Sequence, residues 1–401
     1  METQGHRPHV LHVVTASMGV TLMRGQLKFL REAGFEVAVA AAPGEELSAI
    51  ARVEGAQAIE VPLIREIAPF RDFLALVRIF LILRRVRPTI INFGTPKAGL
   101  ITGLAARLSG VPCRVYTLRG LRVETMTGVK RRLLLLSDWV ACACAHQVVC
   151  VSESLRQKAV SLGIVELART VVFGAGSSNG VDVSRFGPEE QRRKQAHELR
   201  ARLGIPRAAP VVGFVGRFTR DKGMAELIEA FKLLRVRFPD VRLLMIGDFE
   251  EGDLPADEIV KRIKTDLNIN CTGFIDDAAP YYDVMDVLAL PTYREGFPNV
   301  VLEAQAAGKP AVVSNATGAV DSVIDGLTGL IVPMGDSWAL AAALAKLLED
   351  ASLASAMGEN GRKRVIAEFQ PIRIWSGLAH QYKSSLEEKG LPLPVAFLQA
   401  T

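Results

Sequence analysis

The chain predicts a doubly wound α/β protein with two such domains, and three observations carry that expectation. Apolar runs of strand length, rich in Val and Ile, alternate with helical stretches along nearly all of its 401 residues. The alternation stops once, in the polar, proline-containing stretch 187–209, and then begins again. Finally, 49% hydrophobic and 23% charged residues are the proportions of a globular protein with full cores, which excludes disorder, collagen and coiled coil.

Taken in order, strands are expected at 9–15, 36–41, 89–93, 114–118 and 147–152, because these runs are apolar on both faces, as strands covered from both sides must be. Helices are expected between them near 22–33, 70–86, 96–109, 130–144 and 153–162. After the break, strands follow at 211–215, 241–246, 287–290, 311–314 and 329–332, with helices near 222–237, 256–267, 299–307 and 336–349. Residues 351–388 are helical apart from an interruption at Pro371. The expected division is an N-terminal domain over 1–186, a linker over 187–209, a C-terminal domain over 210–370, and a helical tail over 371–401 that packs back on the first domain. Sheets of this kind bind ligands at the carboxyl ends of their strands, and two facing domains would make a cleft there.

Five cysteines give no disulfide framework; Cys142 and Cys144 are expected as buried thiols, and a reducing cytosol fits. The first apolar run is too short for a secretory signal, and no run offers about 20 uninterrupted apolar residues for a membrane span. Charge is uneven: residues 1–186 carry a net +9 and the remainder −4. The first half is therefore expected to meet an anionic partner. The segment 71–87 combines an apolar helix with Arg71, Arg78, Arg84, Arg85 and Arg87, and Lys130, Arg131 and Arg132 add to it. Such a helix either seats on anionic lipid or is a crossover helix with a basic end. Nucleic acid is not the expected partner, since aromatics are 6% and no RRM, KH or helix-turn-helix pattern occurs.

Two clusters point to chemistry. In the first, Gly213-Phe-Val-Gly216-Arg217-Phe-Thr-Arg-Asp-Lys222-Gly223, a strand ends at Gly216 and a helix starts near Gly223. Arg217 and Lys222 then stand beside exposed helix amides, an arrangement for a diphosphate. In the second, Arg294-Glu295-Gly296-Phe297-Pro298-Asn299-Val300-Val301-Leu302-Glu303, Pro298 suits a first helical position. The amides of Asn299, Val300 and Val301 would be unpaired. Glu303 lies among apolar neighbours, where an unpartnered carboxylate is costly; it suits the two hydroxyls of a ribose.

Together these motifs resemble the nucleotide-binding half of the family 4 glycosyltransferases of GT-B fold, whose E-x7-E pattern is matched by Glu295 and Glu303. The resemblance implies two Rossmann-like domains and retaining transfer from a nucleotide sugar, UDP-linked by preference, with no metal or other cofactor. The acceptor would be a glycan or a polyprenyl-diphosphate-linked sugar on the inner face of a membrane, of the bacterial surface-polysaccharide type. Arg217 and Lys222 would hold the diphosphate and stabilise the leaving group, and Glu295 would sit by the donor sugar. Gly19, Gly216, Gly296, Phe297, Asn299, Val300 and Glu303 would line the donor, with Gly19 letting the backbone approach phosphate. Arg119, in Tyr116-Thr-Leu-Arg119-Gly120-Leu-Arg122, stands where many relatives have His. As a permanently protonated group it cannot be a general base. Arg119, Arg122, Thr95 and Lys97 are expected on the acceptor side. A nucleotide-sugar epimerase of the same fold and a non-catalytic nucleotide-sugar-binding partner are the alternatives. His12 is expected as a packed core residue, and Gly174-Ala-Gly176-Ser-Ser-Asn-Gly180 as an interdomain turn.

Overall fold

A computed structural model describes residues 7–63, 68–187 and 189–394. The chain divides into two compact units, one of residues 1–179 with 371–401 and one of residues 180–370.

Unit 1 is built on β1 (His9–Val13), β2 (Glu36–Ala41), β3 (Gln57–Glu60), β4 (Ile90–Gly94), β5 (Cys113–Leu118), β6 (Gln147–Cys150) and β7 (Thr170–Val171). They pair in parallel in the order β3-β2-β1-β4-β5-β6-β7. The crossover helices are α1 (Gln26–Glu32), α2 (Glu45–Glu54), α3 (Pro69–Val86), α4 (Pro96–Leu108), α5 (Gly128–Cys144) and α6 (Glu153–Ser161). Strand β4 reads Ile-Ile-Asn-Phe-Gly and is buried throughout, as a central strand of a covered parallel sheet must be. It lies parallel to β1 on the side away from β2, so the order of strand addition reverses between them, and that switch point is where a doubly wound sheet opens a crevice at its carboxyl edge.

In unit 2, β8 (Val211–Val215), β9 (Arg242–Ile246), β10 (Ile269–Cys271), β11 (Val287–Leu290), β12 (Ala311–Ser314) and β13 (Gly329–Val332) pair in parallel in the order β10-β9-β8-β11-β12-β13. Its switch point lies between β8 and β11. Its helices are α7 (Glu189–Arg202), α8 (Met224–Arg237), α9 (Asp257–Thr265), α10 (Ala279–Tyr282), α11 (Asn299–Ala306), α12 (Ser337–Glu349) and α13 (Ala351–Glu368). The stretch 187–209, expected as a linker, lies inside unit 2. Helix α7 is polar, but Ala196 and Leu199 are buried, and Arg200 donates to the carbonyls of Ala209 and Val284 at 3.1 and 2.8 Å. The division instead falls between residues 179 and 180, at the end of the glycine-rich turn.

The tail forms α14 (Pro371–Glu387), which is grouped with unit 1. Ile374, Leu378, Tyr382 and Leu386 recur every four residues and are all buried. Leu378, Tyr382 and Leu386 join Val10, Val37 and Val39 in one core, each leucine contributing about 1.5–3 kcal/mol by burial. Tyr382 satisfies its hydroxyl by accepting from Asn92 Nδ2 at 2.7 Å. His12 is 2% exposed, with its ring centroid 6.2 Å from that of Tyr382. Cys113, Cys142, Cys144 and Cys150 are buried free thiols, and Cys271 is exposed.

Candidate active site

At the switch point of unit 2, β8 ends and the chain turns through Gly216 into the short helical turn Arg220–Lys222 before α8 begins. Gly223 makes that entry possible: its φ is +71°, and a Cβ there would lie 2.0 Å from the Pro291 carbonyl oxygen beyond β11. The two loops at the switch point therefore touch backbone to backbone.

Asp221 ties them together. Its carbonyl accepts from the Tyr293 amide at 2.8 Å and from the Thr292 hydroxyl at 3.1 Å. Its carboxylate accepts from the Thr219 hydroxyl and pairs with Arg294, both at 2.5 Å. Burial pushes this carboxyl up, but the Thr219 hydroxyl and the Arg294, Lys222 and Arg217 cations outweigh it, leaving Asp221 below the usual carboxylate range. Arg294 thus pairs with this acid directly, and the charges of Lys222 and Arg217 act on it.

The two cations expected to meet a diphosphate both rest on carboxylates. Lys222 Nζ donates to Glu295 Oε1, with both side chains about 15% exposed. Arg217 donates to Glu250, which comes from the loop after β9. Arg217, Lys222 and Glu295 are legible in the sequence, whereas the contact of Glu250 is not. The acidic run Asp248-Phe-Glu250-Glu251 was visible, whereas its placement beside β8 follows only from strand order.

Beyond Glu295 and Gly296 the chain enters α11, with Pro298 outside the helix and Asn299 as its first residue. Here the structure corrects one expectation. The Val301 amide is not free, because the first turn closes tightly and it donates to the Pro298 carbonyl at 3.0 Å. Phe297, expected at the donor, is 8% exposed and turned onto Phe369 with ring centroids 5.4 Å apart, so it anchors the loop from behind. Gly296 is buried, and Asn299 and Val300 are half-buried.

One turn into α11, Glu303 accepts from the Tyr282 hydroxyl at 2.7 Å and lies 3.7 Å from Arg185. Arg185 also pairs with Asp277 at 2.6 Å. Burial raises the Glu303 carboxyl, and Tyr282 and Arg185 oppose that shift. Tyr282 and Arg185 were not anticipated; nothing in their local sequence marks them, since α10 and the segment after residue 180 are brought to α11 by packing alone.

In unit 1 the expected residues make different contacts. Thr95 has φ +72°, a strained value for a β-branched residue, and its hydroxyl bonds that of Thr15 at 2.6 Å, across the β1–β4 switch point. Lys97 pairs with Asp72 at 2.6 Å, so its charge fastens α4 to α3. Gly19 lies in the turn Ser17–Met23 with negative φ, and an added Cβ would meet only Val14 at an ordinary 3.4 Å, so nothing in the turn demands glycine. Arg122 is exposed, and its charge acts on Asp138, whose buried carboxyl is pushed up to about 7. Arg119 lies at the end of β5, with Nε and one terminal nitrogen buried and unbonded. Among the described residues no group of three His, Cys, Asp or Glu side chains is arranged to hold a metal ion.

Comparison with known proteins agrees with this architecture. Residues 19–185 match Glycosyltransferase Family 4, and residues 195–364 match Glycosyl transferases group 1. The capsular polysaccharide biosynthesis glycosyltransferase CapM of Staphylococcus aureus is 37% identical over 94% of this chain and 98% of its own. The UDP-Gal:α-D-GlcNAc-diphosphoundecaprenol α-1,3-galactosyltransferase of Escherichia coli is 27% identical over 80% of this chain and 82% of its own. Among solved structures, Anabaena Alr3699/HepE, crystallised in complex with UDP and glucose, superposes with a TM-score of 0.78 at 19% identity, covering 94% of this chain and all of that one. Two doubly wound units, a cationic switch point and an E-x7-E pair, carried on a sequence matched along almost its whole length, place the chain among the family 4 glycosyltransferases of GT-B fold.

Proposed function

We propose that the protein transfers a sugar, with retention of anomeric configuration and without a metal, from UDP-sugar to a polyprenyl-diphosphate-linked sugar in the synthesis of a bacterial surface polysaccharide. The observation that carries this reading is the convergence of Arg217 and Lys222 at the β8–β11 switch point, in the unit whose α11 bears Glu303. Supporting it, the E. coli relative is named for a UDP-linked donor and a diphosphoundecaprenol acceptor, and HepE was crystallised with UDP and glucose.

The chemistry follows from charge. As the glycosidic bond to the diphosphate breaks, negative charge grows on the departing oxygen, and Arg217 and Lys222 exchange their carboxylate partners for it. Glu295, released from Lys222, is left beside the sugar to orient its hydroxyls. Glu303 accepts from the ribose hydroxyls. The acceptor hydroxyl attacks the anomeric carbon from the face the diphosphate leaves, and its proton passes to the departing phosphate oxygen. No separate base is then required. Thr95 and Arg119, at the switch-point edge of unit 1, belong to the acceptor side. Lys97 contributes by fastening α4 to α3 through Asp72.

The test is a panel of nucleotide sugars. One UDP-sugar should raise the melting temperature and, with a polyprenyl-diphosphate-linked acceptor, give a product whose anomeric configuration by NMR equals that of the donor. An inverted product rejects the retaining mechanism. Protection by a different nucleotide rejects the donor.

An acceptor of this kind lives in a bilayer, and no helix among the described residues is long and apolar enough to cross one. The α3 helix offers a surface contact instead. Ala75, Ile79 and Leu83 face the core, while Phe70, Phe73, Leu74 and Leu81 are at least half exposed and are interspersed with Arg71, Arg78, Arg84 and Arg85. Apolar side chains among arginines suit a membrane of anionic lipid. The protein should sediment with phosphatidylglycerol vesicles and not with phosphatidylcholine vesicles, and Phe70→Ser with Phe73→Ser should weaken this about tenfold. Equal sedimentation with both lipids, or no effect of the pair, would remove α3 from the contact.

A further inference from the structure

Among the described residues of unit 1, Arg119 is a cation that the packing leaves without a partner. It follows β5 at the carboxyl edge of the sheet, next to β4. Its Nε and one terminal nitrogen are buried, and neither has a hydrogen-bond partner. The titratable groups that feel its charge are Tyr382, Tyr116 and His12, from α14, β5 and β1, and no carboxylate is among them. His12 supplies no counter-charge, since an imidazole is either neutral or cationic, and burial beside Arg119 favours its neutral form. Gly94, the last residue of β4, makes room: its φ is not left-handed, but a Cβ there would stand 3.2 Å from Arg119 Nε. Strained Thr95 follows directly.

Arg119 as a whole is half-buried, but guanidinium nitrogens buried without a partner are destabilising and other contacts must offset that cost. Lys222 meets this cost with Glu295, and Arg192, whose Nε and one terminal nitrogen are likewise buried and unbonded, still pairs with Asp283 at 3.5 Å. Among the described residues, Arg119 has no such pair. We propose that the carboxyl ends of β4 and β5 form an oxyanion site, in which the Arg119 guanidinium receives a phosphate or carboxylate group of the substrate bound by unit 1. The proposal rests on the glycosyltransferase reading only for the identity of that substrate. The oxyanion belongs either to the diphosphate of a lipid-linked acceptor or to an acidic sugar, and the two are separable.

The test uses the full chain carrying Lys222→Ala, which disables the diphosphate site of unit 2, with and without Arg119→Met or Arg119→Lys. Melting temperature is followed against sodium pyrophosphate and sodium glucuronate, with sodium chloride at matched ionic strength. Without ligand, Arg119→Met should melt at the parent temperature or a few degrees higher, since an unpaired buried charge is replaced by an apolar chain. The parent should gain about 2–4 °C with one of the two anions, the methionine variant none, and the lysine variant an intermediate amount. A gain with pyrophosphate alone assigns the lipid diphosphate, and a gain with glucuronate alone assigns an acidic sugar. The proposal is overturned if neither anion stabilises the parent, if the gain survives Arg119→Met, or if ligand-free Arg119→Met melts clearly lower, which would make the arginine a packing element. UDP binding by the chain with Lys222 intact and Arg119→Met reports on the donor site separately. Its absence there and in wild type would count against the UDP reading and leave the anion result standing.

Discussion

Lys222→Ala is expected to lower kcat by about 10²–10³ while the melting temperature moves by only a few degrees. Lys222 ends the short turn before α8, and its Nζ reaches Glu295 from the other loop of the switch point. The fold does not depend on that pair. Asp221 holds the two loops together through Thr219, Thr292, Tyr293 and Arg294, and Gly223 lies against the Pro291 backbone. What the lysine adds is charge beside a leaving group whose negative charge rises only as the bond breaks, so kcat should fall much more than the affinity for the donor. Lys222→Arg should recover part of the loss, because a cation remains in reach, although its planar head meets phosphate differently. A Lys222→Ala enzyme with near-normal kcat would remove the leaving-group role, and one that is unfolded by circular dichroism would show the pair with Glu295 to be structural.

Much of this organisation was legible in the sequence because the physics behind it is local. Central strands such as β4 and β8 are apolar throughout, and only a sheet covered on both faces uses such runs. Glu303 stood out as a carboxylate in a run of valine and leucine, and it is indeed held by Tyr282 and Arg185. Other features depend on partners far away in the chain. Strand β3, Gln-Ala-Ile-Glu, has three of its four residues exposed at a sheet edge and so carries no apolar signature. Helix α7 looked like a linker because it is polar almost all round, and its place in unit 2 is set by Arg200 reaching carbonyls near β8 and β11 and by buried Ala196 and Leu199. Glu250 meets Arg217 because β9 lies beside β8, which no spacing within either loop could show. The same holds for Arg119: its position was readable, but its lack of a counter-charge emerges only from the side chains that Tyr382, Tyr116 and His12 bring around it.

Glu303→Ala should weaken UDP binding about 10–100-fold in calorimetry, the value of hydrogen bonds to a charged acceptor. The carboxylate sits one turn into α11, accepts from Tyr282 at 2.7 Å and keeps Arg185 at 3.7 Å, so it is fixed in place before any ligand arrives. If its partners are the ribose hydroxyls, dideoxyuridine diphosphate should bind wild type as weakly as UDP binds the variant, and the variant should not distinguish the two nucleotides. A variant that still prefers UDP would place the ribose contact elsewhere. The pH dependence gives a second, independent check. Burial raises the Glu303 carboxyl above its ordinary range, although Tyr282 and Arg185 resist this. Protonation removes the negative charge and one acceptor, so UDP affinity should fall as pH decreases through that raised pKa, at a higher pH than an exposed glutamate would dictate. Glu303→Gln keeps the shape without the titration, and its affinity should be low and flat across the same interval. If the acid-side loss persists in Glu303→Gln, the proton is bound at another group and the ribose assignment loses this support.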